Sequence, residues 1–450
     1  MQMIREYTDK MYESCVKNDY ISKNLYEEYN VKKGLRDENG KGVLTGLTNI
    51  SEVKAFEKKD GVRVPCDGQL YYRGYNVEDL VNGGVGGHSL FEESAYLLLF
   101  GELPDRSQLA EFKTILTDCM QLPTNFTRDV IMKAPGADIM NSMTRSILTL
   151  ASYDDKKDDI SIPNVLRQCM QLIAEFPMLA AYGYHAYNHY ENDESMYIHR
   201  PDKTLTISEN LLRMLRPDKQ YTKLEADVLD VALLLHMEHG GGNNSTFTTR
   251  VVTSSGSDTY SAIAAAMSSL KGPKHGGANL QVVKMMDNIK SNISDFADKD
   301  EIYAYLGKIL DKEANDKSGL IYGMGHAVYS LSDPRERVFK RFVEQLSVEK
   351  GRERDMLLYN NIEELAPKVI AEKRKIYKGV SPNVDFYSGF VYDMLNIPRE
   401  LFTPLFAIAR VAGWSAHRIE ELVTADKIIR PAYMSLVTHH DYIPREERTS

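Results

Sequence analysis

The stretch Leu224–Phe247, LEADVLDVALLLHMEHGGGNNSTF, holds the signal from which the architecture is read. Its first part carries apolar residues at helical spacing and ends in Gly240-Gly241-Gly242, so it predicts a helix over Leu224–His239 halted by glycine. Working outward, Ser89–Leu99 (SLFEESAYLLL) opens with Ser89 and Glu92, the spacing of a capping box ahead of an apolar face. Asp258–Leu270 is apolar on almost every side, as suits a helix buried all round. Few windows read as strands, so the fold class is all-α.

A chain of 450 residues with 43% hydrophobic and 26% charged residues has room for a deep core and excludes disordered and fibrous classes. The net charge of −9, from acids and bases mixed along the chain, argues against a nucleic-acid-binding face, so an anionic ligand must be held by a few local arginines. No apolar run is long enough for a membrane span, and MQMIREYTDK has no apolar signal region, which predicts a cytoplasmic protein. Cys15, Cys66, Cys119 and Cys169 stand apart without a CxxC pair and read as reduced, buried and structural. The first ~45 residues form a polar arm, and the charged run from Asp287 to Lys317 marks a more exposed subdomain beginning after Asn279.

Four constellations bear chemistry, each with a plainer reading beside it. His236 and His239, at i and i+3, admit a metal site, but HMEH fits neither HExxH nor HxxEH, and histidines meeting the last carbonyls of a helix are the ordinary alternative. His275 in LKGPKHGGANL precedes a helix start, which disfavours imidazolium and leaves a neutral donor. Gly276 and Gly277 either admit a ligand to the backbone or only serve a turn. In GMGHAVYSLSDPR, Gly323 and Gly325 loosen the chain around His326, and Asp333-Pro334 reads as cap and first helical residue, a start able to orient the guanidinium of Arg335. Asp385 in SPNVDFYSGFVYDML is either an N-cap or a carboxyl among apolar neighbours with its pKa raised. Arg410 and Arg430 lie in apolar surroundings that call for an anionic partner or a snorkelling side chain.

Taken in order from LYYRGYNVEDL at Leu70 to IIRPAY near the C-terminus, with MEHGGGNNSTF, KHGGAN, GMGHAVYSLSDPR and NVDFYSG between, the chain resembles the citrate synthase family. The resemblance implies an almost all-α, two-domain fold: a large domain of 1–277 and 396–450, and a small domain of 278–395 that closes over the site. It implies Asp385 as the base that removes a methyl proton from acetyl-CoA, His275 as the donor to the thioester oxygen, and His326 as the group polarising the ketone of oxaloacetate. His239, Arg335, Arg410 and Arg430 match the oxaloacetate-binding residues, with Arg430 supplied by the partner in a homodimer, and His236 has no catalytic role. No metal and no tightly bound cofactor are implied; acetyl-CoA and CoA come and go as cosubstrate and product. Ser330 stands where some members have an arginine that contacts the CoA phosphates. The same chemistry on propionyl-CoA, giving 2-methylcitrate, is the alternative.

Overall fold

The computed structural model describes residues 2–37, 42–60, 62–84, 89–325, 329, 331–375, 380–424 and 427–448. The chain divides into two compact units, Met1–Thr48 and Asn49–Ser450. The first, the polar arm, holds the helices Gln2–Asp19 and Lys23–Glu28, neither with a buried residue.

The second unit opens with an antiparallel ribbon, Ser51–Lys59, Val62–Tyr72 and Tyr75–Asn76, paired in chain order. The remaining regular structure among its described residues is helical. At the centre the Phe402–Thr424 helix packs against Ile162–Glu191, Asn244–Ser254, Leu90–Phe100 and Lys223–His236. The Thr259–Leu270 helix is buried along most of its length, capped by Asp258 accepting from the Ser261 N–H. Of the cysteines only Cys169 is buried; Cys15 is exposed, and Cys66 and Cys119 are half-buried. No helix among the described residues is long and apolar enough to cross a membrane.

Two helix ends differ from the sequence reading, each because a distant residue intervenes. Ser89 does not cap the Leu90–Phe100 helix with its side chain, and Glu92 turns away to accept from the Ile207 N–H at 2.8 Å. The cap comes from Asp230, whose carboxylate oxygens accept from the N–H groups of Leu90 (2.7 Å) and Phe91 (3.2 Å). The second helix starts as its composition suggests, with Thr222 and Glu225 forming a reciprocal capping box, but it ends at His236. There the buried Tyr72 hydroxyl lies 2.9 Å from the Leu234 carbonyl and 3.1 Å from the Glu238 carbonyl, and accepts from the Glu238 N–H at 3.2 Å. The phenol thus serves backbone groups that another helical turn would have paired.

Close passage of the Phe402–Thr424 helix over this turn requires Gly413. A Cβ there would lie 2.4 Å from the Met237 carbonyl oxygen and 2.6 Å from Glu238 Oε2. Gly413→Ala is expected to destabilise the protein by about 1–3 kcal/mol, the usual cost of overpacking. An unfolding midpoint equal to that of the parent would show that the two segments separate at no cost.

Candidate active site

The sequence-predicted residues meet largely at helix starts. His275 sits in the turn before the Ala278–Asn292 helix, its N–H donating to the Gly272 carbonyl at 2.9 Å. Gly276 answers to packing, since a Cβ would come within 2.3 Å of the Leu270 carbonyl oxygen and 2.8 Å of Thr403 Cγ2; the turn needs it whether or not a ligand approaches. Ser245 fixes the imidazole: its backbone N–H points to Nε2 at 3.3 Å and its Oγ lies 3.0 Å from the same nitrogen. An N–H can only donate, so Nε2 presents its lone pair and the proton of the neutral ring resides on Nδ1. Trp414 Nε1 donates to the Ser245 hydroxyl at 3.2 Å, holding it in place. Burial, with Arg410 adding to it, pulls the His275 pKa down to about 4. Neutrality is as the sequence predicts, but its causes are desolvation and a nearby cation.

Asp333 caps the Pro334–Glu349 helix and grips the side chain two residues on. Its oxygens accept from the Arg335 N–H and Nε, both at 3.0 Å, and from Nη2 at 2.7 Å. Both groups are buried, and although burial opposes its charge, the Arg335 guanidinium is held above its ordinary pKa by Asp333. Asp333 Oδ2 also lies 3.3 Å from the Val384 N–H, at the start of the Val384–Met394 helix.

That helix is capped by Asn383, not by Asp385. Asn383 Oδ1 accepts from the Asp385 N–H at 3.0 Å, while its Nδ2 donates to the Gly325 carbonyl at 2.8 Å. The Asn383 N–H donates to the Gly323 carbonyl (2.9 Å), and the Gly325 N–H to the Ser381 carbonyl (2.8 Å). Gly323 and Gly325, with φ of 80° and 85°, bend the backbone to lie along 381–383. His326 and Ser330 fall outside the described residues. Relieved of capping, the Asp385 carboxyl is pushed up to about 6: burial is the main cause and Asp333 adds to it, while Arg335 and Arg410 oppose.

Arg410 does not snorkel; among the described residues no carboxylate pairs with it directly, though Glu238 and Asp385 act on its charge. It is buried in the Phe402–Thr424 helix, and its Nε donates to the His236 carbonyl at 2.7 Å. His239 lies beyond the helix end, in edge contact with Tyr329 at 5.6 Å between ring centroids, so the two histidines do not share a final helical turn. Among the described residues no group of three or more His, Cys, Asp or Glu is arranged to hold a metal ion. Arg430 is exposed in the C-terminal segment, and no contact among the described residues joins it to the others.

Glu238 is the site residue that sequence reasoning passed over. Its Oε1 accepts from Ser51 Oγ (2.8 Å), from the Gly240 N–H (2.6 Å) and from His417 Nε2 (3.1 Å), fastening the turn that carries His239. Burial would raise its pKa, yet His417, Arg410 and the Ser51 hydroxyl hold it at about 2. A carboxylate between two histidines gives no local signal of this, because Ser51 and His417 arrive from distant parts of the chain. Buried polar atoms nearly always find a partner, yet the Thr246 and Ser388 hydroxyls and both amide atoms of Asn279 have none among the described residues. The candidate residues supply two guanidinium groups, a neutral imidazole donor and a carboxyl poised near neutrality, a set suited to an anionic substrate that must lose a proton.

The family model described as citrate synthase, C-terminal domain, matches residues 38–432. A citrate synthase of Synechocystis is 35% identical over 409 residues, covering 90% of this chain and 93% of its own. The 2-methylcitrate synthase 1 of Corynebacterium glutamicum is 32% identical over 425 residues, covering 93% and 99%. Among solved structures, the ternary complex of Thermoplasma acidophilum citrate synthase with carboxymethyl coenzyme A and oxaloacetate superposes with a TM-score of 0.72, at 26% identity over 90% of this chain and 97% of that one. On the extent of these matches and on the helical architecture they share, the chain belongs to the citrate synthase family.

Proposed function

We propose that the protein condenses acetyl-CoA with oxaloacetate and hydrolyses the resulting citryl thioester to citrate and CoA. The observation that carries this reading is Asp385, a carboxyl raised to about 6 and subject to the fields of Arg335 and Arg410. Asp385 takes a proton from the methyl group, and the Nδ1–H of His275 meets the charge that develops on the thioester oxygen. The enol carbon then bonds to the ketone carbon of oxaloacetate, whose carbonyl pair becomes an alkoxide protonated by His326; water afterwards cleaves the thioester. His239, Arg335 and Arg410 hold the dicarboxylate with its ketone facing the enol, which replaces a random encounter by a positioned one.

Arg430, exposed here, completes the clamp from the partner subunit of a homodimer, and residues 278–395 close as a small domain over 1–277 and 396–450. Acetyl-CoA serves as cosubstrate, no tightly bound cofactor takes part, and the protein works in the cytoplasm.

Thiol release from purified protein, with oxaloacetate and either acetyl-CoA or propionyl-CoA, tests the assignment. Oxaloacetate-dependent release favouring acetyl-CoA is expected. A preference for propionyl-CoA would move the substrate to that of the 2-methylcitrate synthase relative, and no release from either would defeat the reading. The pH profile is a second test. Asp385 accepts a proton only when ionised, so kcat/KM should fall as pH drops through about 6, while His275, neutral above about 4, adds no step near neutrality. A profile flat down to pH 4.5 would remove Asp385 as the base.

A further inference from the structure

His236 and Tyr392 have no role in the scheme above, yet both are fully buried with polar atoms that the chain leaves unanswered. Among the described residues neither ring nitrogen of His236 has a hydrogen-bond partner, nor has the Tyr392 hydroxyl, nor Nη1 of Arg410. His236 adjoins both of the others. The His236 ring stacks on Phe406 with centroids 3.8 Å apart and meets the edge of Tyr392 at 6.3 Å, while its carbonyl receives Arg410 Nε. Tyr392 stands two turns beyond Asp385 on the same helix face and within its electrostatic reach. Arg335 and Arg410, after burial, keep the imidazole uncharged, so it offers one N–H and one lone pair.

A buried donor without an acceptor is costly, and here three of different kinds, imidazole N–H, phenol O–H and guanidinium N–H, cluster at the junction of three helices. The complementary group is rich in lone pairs and carries no proton, as an ionised carboxylate does. We infer that His236 and Tyr392, together with Nη1 of Arg410, form a carboxylate-binding end of the oxo-acid site and are specificity-determining residues for the dicarboxylate. This rests on the functional reading above and extends it to residues left idle there.

Tyr392→Phe and His236→Phe keep the ring packing and remove only the polar atoms. Each is expected to raise KM for oxaloacetate about tenfold or more, the order of a hydrogen bond to a charged group, with KM for acetyl-CoA changed less than about twofold. The thermal stabilisation conferred by oxaloacetate should shrink in parallel. An unchanged KM for oxaloacetate in both variants would overturn the inference. So would a fall in kcat with both KM values shifted alike and the unliganded unfolding temperature lowered, which would mark the pair as packing. A parent protein that releases no thiol, yet is stabilised by oxaloacetate in a manner lost in the variants, would uphold this subsite while defeating the assigned reaction.

Discussion

Asp385→Asn is expected to lower kcat by about 10²–10⁴-fold, the range over which a positioned general base accelerates proton transfer. The amide has nearly the shape of the carboxylate, and the helix keeps its cap because Asn383 supplies it. Arg335 keeps its grip on Asp333 and Arg410 its hold on the His236 carbonyl, so oxaloacetate binding should survive almost unchanged. Single-turnover thiol release beside a direct oxaloacetate titration separates the two effects. A variant retaining most of its turnover would show that some other group takes the methyl proton. One that loses oxaloacetate binding in proportion to rate would show that Asp385 acts on the ground state.

Asp333→Ala should be the most destabilising single change at the site. It removes a helix cap and both acceptors of a bidentate pair in one step, leaving Arg335 charged and buried without its ion-pair partner. Breaking a buried ion pair on one side costs about 3–5 kcal/mol, and losing a cap adds about 1. Asp333→Asn restores the cap and withholds the charge, so it should recover only the smaller part of the loss. Chemical unfolding of both variants, with KM for oxaloacetate as a report on Arg335, provides the check. Near-parental stability in the asparagine variant would mean that the guanidinium finds another anion, and the ion pair would then lose its assigned importance.

What the sequence discloses and what it withholds follow the range of the interactions involved. Asp333 as cap and Arg335 as its companion are legible because both partners lie within three residues. The raised carboxyl of Asp385 is legible from its apolar neighbours. The true cap of that helix, Asn383, stands only two residues away, but Asp385 was an equally good local candidate, and what selects asparagine is its second bond to the Gly325 carbonyl. Asp230 capping a helix begun by Leu90, and Tyr72 ending one at His236, rest on contacts across well over a hundred residues. Glu238, gathered by Ser51 and His417, is of the same kind. The ribbon Ser51–Tyr72 escaped because its charged outer face and early bulge blur the two-residue alternation.

His275, Arg335 and Asp385 each stand at the first turn of a helix or just ahead of one. The frame for the proposed chemistry is therefore fixed where helices begin and not by the contours of the loops between them. A residue inserted at an exposed connection such as 311–318 would shift none of these starting points, whereas one inserted beside Asp333 or Asn383 would turn a reactive side chain by about 100° around its helix axis. Length is thus a matter of indifference in the outer connections and a constraint in the few residues ahead of these three helices.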